Sequence, residues 1–195
     1  MEKLNVGIIG YSWVATAHIK AINDGEFAQV NAIYSSRNLD GAALSREHGS
    51  DIKTYTDLNE MLKNGGVDVV VIGSYNYQHK DQAVAAANAG KHIYLEKPIA
   101  LTWDDCLAIE EAVKKNNVKF CVGFECRYSN QFLVTKSVVD QGLIGELYYA
   151  EVDYLHGLGP AYKQFHWNAK KEGGGSALLT AGCHAMDALL LFMGS

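Results

Sequence analysis

No run of apolar residues in this chain of 195 reaches the roughly 18 needed to span a bilayer. The first residues, MEKLNVGIIGYS, lack the cationic start, sustained apolar stretch and small-residue cleavage site of a secretory leader. There is no basic surplus: the formal net charge is −5, which disfavours binding to nucleic acid or an anionic membrane. Cysteine is sparse and scattered (Cys106, Cys121, Cys126, Cys183), with no CxxC pair. That spacing argues against a disulfide framework or a zinc site, and favours reduced thiols packed as small apolar residues in a cytoplasmic protein. Low-complexity segments, internal repeats and long linkers are also missing.

What is present is a regular alternation of short apolar runs and helical stretches. Asn5–Gly10, Gln29–Tyr34, Ile52–Tyr55, Val67–Ile72, His92–Leu95 and Lys119–Val122 read as strands. Between them Trp13–Asn23, Asp40–His48, a segment that Thr56 can cap, His79–Ala89 and a stretch opened by Thr102 read as helices. Strands such as VDVVVI, almost wholly β-branched and apolar, suit a parallel sheet covered on both faces. The reading is an α/β fold: a doubly wound, parallel-sheet Rossmann domain over residues 1–123.

After Gly123 the pattern changes. Ser129–Asp140 reads as a helix and Glu146–Tyr154 (ELYYAEVDY) as a strand of a mainly antiparallel second sheet. A loop with Gly157, Gly159 and Pro160 follows, then the Gly173–Gly175 triplet and an apolar helix over Ser176–Phe192. Residues 124–195 therefore read as part of an α+β domain whose sheet is incomplete, since one strand is not a stable sheet.

Four groups of residues carry candidate chemistry. Gly10, Tyr11, Ser12, Trp13, Val14 and Ala15 fill the six positions of a G-x-G-x-x-G/A dinucleotide turn. Ser12 stands where glycine normally lets the backbone approach the pyrophosphate, though its hydroxyl can donate to a phosphate at the helix N-terminus. Ser35, Ser36 and Arg37 end the second strand, where an NAD-preferring domain places an acid; an arginine and two hydroxyls favour a 2′-phosphate, hence NADP over NAD. Ser74, Tyr75, Asn76 and His79 follow the fourth strand, and Glu96–Lys97–Pro98 the fifth, both at carboxyl ends of parallel strands. Lys97 can hydrogen-bond a substrate oxygen, or be a surface lysine of a loop. Thr180, His184 and Asp187 fall on one helix face, where His184 is either a hydrogen-bonded core residue or a general base.

In this order and spacing the motifs resemble the Gfo/Idh/MocA family of oxidoreductases. The resemblance rests on Gly10-x-Ser12-x-x-Ala15, Asn76-x-x-His79, AGKH (89–92), Glu96-Lys97-Pro98, GFECRY (123–128), GLIG (142–145) and Gly182-Cys183-His184-x-x-Asp187. It implies a nicotinamide cofactor and hydride transfer on a sugar, glycoside or cyclitol, with Lys97 on the substrate oxygen and His184 as acid/base. It implies supporting or substrate-binding roles for Arg127, Trp167, Thr180 and Asp187, no metal, and homo-oligomers built through the second-domain sheet. Two features depart from the family. Thr180 occupies a position where members usually carry an acid, which leaves Asp187 or substrate to orient His184, and members are nearly twice as long. Alternatives are a lyase using transient oxidation by bound NAD, and a nucleotide-binding subunit without catalysis.

Overall fold

Both faces of each central strand are buried, which is why the strands read as unbroken apolar runs. The computed structural model describes residues 2–155, 157 and 165–194. Its strands are β1 (Leu4–Ile9), β2 (Ala28–Tyr34), β3 (Lys53–Tyr55), β4 (Val69–Ile72), β5 (His92–Glu96) and β6 (Phe120–Gly123). They form one sheet in the order β3-β2-β1-β4-β5-β6. β1 pairs in parallel with β2 and with β4, in the register Val6 opposite Val30 and Val69. Neighbouring residues serve opposite faces: Ile9, Ala32, Val70 and Ile72 pack in one core, Ile8, Ile33 and Val71 in the other. Fully burying Ile8 or Ile9 contributes about 1.5–3 kcal/mol each.

The connecting helices are α1 (Trp13–Asn23), α2 (Gly41–His48), α3 (Leu58–Asn64), α4 (His79–Asn88) and α5 (Trp103–Asn116). Small side chains on α4 (Ala83, Ala86, Ala87) bring it close to the sheet, and all three are fully buried. The Asp40 carboxylate accepts from the Ala43 amide at the start of α2, and Thr102 Oγ1 from the Asp105 amide at the start of α5. One cap differs from expectation. Asp57, not Thr56, caps α3 by accepting from the Glu60 amide at 3.1 Å, because the helix begins one residue later.

The chain divides into two compact units, Met1–Val122 and Gly123–Ser195. The second unit contains a 3-10 turn at Glu125–Tyr128, then α6 (Asn130–Asp140), α7 (Phe165–Asn168), α8 (Lys171–Gly174) and α9 (Cys183–Met193). A Cβ on Gly174 would lie 2.0 Å from the Asn168 carbonyl oxygen, so only glycine fits where α8 turns back on α7.

One expectation for this unit is corrected. Residues 146–154 form no strand and the antiparallel sheet is absent among the described residues. A ladder needs a partner, and here Tyr148 is 87% exposed, its hydroxyl donating to the nearby Glu146 carboxylate. The helix expected over Ser176–Phe192 is present, running without a break over 177–193, with one irregularity inside it. Leu178–Gly182 is a π-helical turn, and α9 begins at Cys183. The stretch Lys171–Met193 is long and apolar enough, by length and composition alone, to cross a membrane. Counting consecutive apolar residues missed it because glycines, Ser176 and Thr180 interrupt the run. It is weak evidence for a span, since Asp187 within it is ion-paired. Gly157 has no regular structure, and Gly159 and Pro160 lie outside the described residues.

Candidate functional site

The reversal of strand order between β1 and β4 opens a crevice at the carboxyl ends of the strands, the usual ligand position in such sheets. Gly10 ends β1 with φ +92°, a left-handed conformation that side chains resist. A Cβ there would meet Ser74 Cα at 3.0 Å and the Gly73 carbonyl at 3.1 Å. The turn after β1 thus lies directly against the loop after β4. Ser12 is the N-cap of α1, yet its hydroxyl makes no capping bond, which leaves it able to meet a phosphate beside the helix N-terminus. Ala15 is fully buried, Val14 and Tyr11 are half-buried, and Trp13 is exposed.

After β2, Ser35 is buried and its hydroxyl accepts from the Arg37 amide at 3.2 Å, whereas Ser36 and Arg37 are exposed. Arg37 folds toward the first turn and donates through Nη2 to the Tyr11 carbonyl at 2.6 Å. The Tyr11 hydroxyl reaches His48 Nε2 at 3.1 Å. Burial, followed by the Glu47 carboxylate, raises the Tyr11 pKa, so it stays a neutral phenol.

After β4, Ser74 donates to Gln82 Oε1 at 2.5 Å, and Tyr75 and Tyr77 stack with ring centroids 5.5 Å apart. Asn76 is buried, and its Nδ2 has no hydrogen-bond partner among the described residues. A buried donor left unmade costs about 1–3 kcal/mol, so this atom fits a ligand acceptor such as a cofactor carbonyl or hydroxyl. His79 is wholly buried, donating from Nδ1 to the Pro98 carbonyl at 2.8 Å. Burial holds its pKa below the ordinary range and keeps the ring neutral. His79 therefore ties the start of α4 to the Lys97–Pro98 turn. Lys97 itself is half-buried. Its neighbour Glu96 accepts from His18 Nε2 at 2.8 Å, and the His18 ring meets Tyr94 edge-on.

In the second unit Arg127 grips Asp187 through Nε and Nη2, with bonds of 3.0, 2.8 and 2.5 Å. The Asp187 carboxylate is thus committed to Arg127. Thr180 lies in the π-helical turn and donates to the Gly174 carbonyl at 2.7 Å. Thr180, His184 and Asp187 are all buried along this helical stretch. His184 is 5% exposed, stacked on Tyr154 and edge-on to Phe124. Its Nε2 lies 3.6 Å from Glu125 Oε1. Trp167 is half-buried on α7.

Sequence reasoning did not find His18, Gln82, Glu125, Cys126 or Tyr154. The first two meet their partners across 78 and 8 positions with no local motif. Glu125 and Cys126 had a usable signal, an acid and a thiol adjacent to Arg127 within GFECRY.

Residues 4–124 match the model of an oxidoreductase family with an NAD-binding Rossmann fold, GFO/IDH/MocA, and residues 132–195 match that family's C-terminal domain. An uncharacterized oxidoreductase of Streptococcus pneumoniae is 30% identical over 194 residues, covering 100% of this chain and 51% of that protein. Inositol 2-dehydrogenase of Salmonella typhimurium is 33% identical over 148 residues, covering 73% of this chain and 43% of that one. The crystal structure of scyllo-inositol dehydrogenase from Lactobacillus casei, with bound NAD(H) and scyllo-inositol, superposes with a TM-score of 0.83 at 27% identity. That match covers 99% of this chain and 57% of the other. The chain spans about half the length of the relatives it matches.

Proposed function

Because this chain belongs to the GFO/IDH/MocA oxidoreductase family, we propose that it serves hydride transfer between a nicotinamide cofactor and a secondary alcohol or ketone of a sugar, glycoside or cyclitol. The observation that carries this reading is the convergence of Gly10, Arg37 and Asn76 on adjacent strand ends of the 3-2-1-4-5-6 sheet. The Gly10 turn lets a pyrophosphate approach the N-terminus of α1, where Ser12 adds a donor. The buried Asn76 amide supplies a directed donor to the cofactor. When bound, the nicotinamide gives or accepts the hydride. Lys97 hydrogen-bonds the substrate oxygen and favours its alkoxide-like form. His184 takes the hydroxyl proton, its ring fixed by Tyr154 and Phe124.

Arg37 supports NADP(H) over NAD(H), because a guanidinium pairs with a 2′-phosphate where an acid would repel it. Homo-oligomers and a cytoplasmic location belong to the same proposal. The sparse, scattered cysteines are consistent with that location.

Calorimetric titration of the chain with NAD(H) and NADP(H), for wild type and Arg37→Ala, tests the cofactor reading. NADP(H) is expected to bind at least as tightly, and Arg37→Ala to weaken NADP(H) alone. Tighter NAD(H) binding that Arg37→Ala leaves unchanged refutes the preference. Reduction of the bound nucleotide by a panel of cyclitols and sugars tests the reaction. Lys97→Met or His184→Ala is expected to slow it roughly a hundredfold with cofactor affinity preserved.

A further inference from the structure

Glu125, Cys126 and His184 bring a carboxylate oxygen, a thiol sulfur and an imidazole nitrogen within 4.8 Å of one another. The carboxylate lies 3.6 Å from His184 Nε2 and 3.9 Å from Cys126 Sγ. Tetrahedral ligands at ordinary zinc bond lengths are separated by about 3.3–3.6 Å. The two contacts of the Glu125 carboxylate are therefore within a few tenths of an ångström of coordination distance, and all three ligand atoms lie within 4.8 Å of one another. We propose that these three residues form a binding site for a thiophilic divalent cation of the Zn²⁺ class, whose occupancy withdraws His184 Nε2 from proton transfer.

Four features support the site. The ligands sit on two separate pieces of backbone, the 3-10 turn and the first turn of α9, so ligation pins one to the other. His184 is nearly buried and clamped between Tyr154 and Phe124, which fixes its ring before any ion arrives. Glu125 is exposed and leaves an entry path with a fourth coordination position for water. Thiolate and carboxylate together supply two negative charges, matching a divalent ion. The adjacent Arg127 cation is already neutralised by Asp187 and does not oppose it.

Ligand softness sets the selectivity. A thiolate and an imidazole favour Zn²⁺ or Co²⁺ over Mg²⁺ or Ca²⁺, which prefer oxygen. Binding releases the Cys126 thiol proton to solvent, so affinity falls as pH falls. Ion binding stands independently of the proposed activity, and only its inhibitory consequence rests on that reading.

The test titrates the reduced, chelator-treated full chain with Co²⁺ and follows the thiolate-to-cobalt charge-transfer absorption, which needs no turnover. One Co²⁺ per chain is expected, with a thiolate band that Zn²⁺ bleaches. Cys126→Ser should abolish the band, and Glu125→Gln should weaken binding by roughly an order of magnitude or more. Both side chains are surface-accessible, and unchanged circular dichroism verifies that these variants remain folded. Cys121→Ser, at an exposed thiol elsewhere, should change nothing. A band that survives Cys126→Ser, a band that follows Cys121 instead, or no stoichiometric binding overturns the site. Where turnover is measurable, Zn²⁺ should inhibit wild type and spare Cys126→Ser. Stoichiometric binding without inhibition overturns the His184 consequence alone.

Discussion

Arg127 holds the carboxylate of Asp187 in a forked contact across 60 positions of sequence, joining the 3-10 turn to α9. Asp187 is 5% exposed, so its charge is viable only while that guanidinium stays in place. Arg127 is partly open to solvent, which screens the pair and reduces its net worth below that of a fully buried one. Removing one partner still leaves a buried, uncompensated acceptor. Arg127→Ala is expected to destabilise the second unit by about 2 kcal/mol, whereas the double variant Arg127→Ala/Asp187→Leu should recover much of that loss. Hydrogen exchange of the α9 amides would measure both. Unchanged exchange in the single variant contradicts the assignment.

The turn at Gly10 gives a second expectation. Its φ of +92° and the 3.0 Å approach to Ser74 Cα are each unfavourable for any side chain. Gly10→Ala should cost about 1–3 kcal/mol in strain and separate the turn after β1 from the loop after β4. Nucleotide affinity should then fall together with thermal stability. Ser12→Ala, in contrast, should lower affinity with stability retained, since the Ser12 hydroxyl caps nothing. Calorimetry beside thermal melts separates the two outcomes.

These residues also show what was legible in the sequence. Strands covered on both faces must be apolar throughout, so β1 and β4 announced themselves as runs, and glycine at the end of β1 marked the turn. The capping residue of α5, Thr102, was readable because a short oxygen-bearing side chain before a helix has one strong use. The strand expected from Glu146 to Tyr154 failed for a different reason. Alternation records which faces a segment could present, but a ladder needs a second strand, which no local pattern supplies. The π-helical turn at Leu178–Gly182 has no composition of its own, so it was not legible in the sequence. Contacts such as His18 to Glu96 and the Glu125, Cys126 and His184 cluster depend on chain reversals that only the folded form reveals.

His79 carries a pH dependence whose sign follows from its burial. Its pKa in the folded protein lies below the ordinary value near 6.5, because burial disfavours the charged ring. Below that ordinary value the unfolded chain binds a proton that the folded chain refuses, so stability is full above it and falls as pH drops toward the depressed folded value. Urea unfolding from pH 8 down to pH 5 should show this decline. His79→Gln, which can still donate to the Pro98 carbonyl, should flatten the decline below pH 6.5. A decline of equal slope in the variant would assign it to other groups.

The helical stretch of the second unit makes the last prediction. Met186, Leu190 and Met193 follow i, i+4, i+7 spacing along α9, and all are exposed, as is Leu178 before them. Tyr148, Tyr149 and Leu155 add further exposed apolar area in the segment that forms no strand. Contiguous apolar surface of this kind associates in water, and the stretch offers a second copy of the chain a self-complementary stripe. The 195-residue chain is therefore expected to self-associate with a concentration dependence visible by light scattering and sedimentation. Met186→Lys/Leu190→Lys should shift it toward monomer without loss of helix content, since neither side chain is in the core. A wild-type monomer unchanged by concentration would contradict the prediction. Association that persists in the double variant would move the contact to the tyrosine-rich segment, and Tyr148→Ser/Tyr149→Ser would then be the variant that dissolves it.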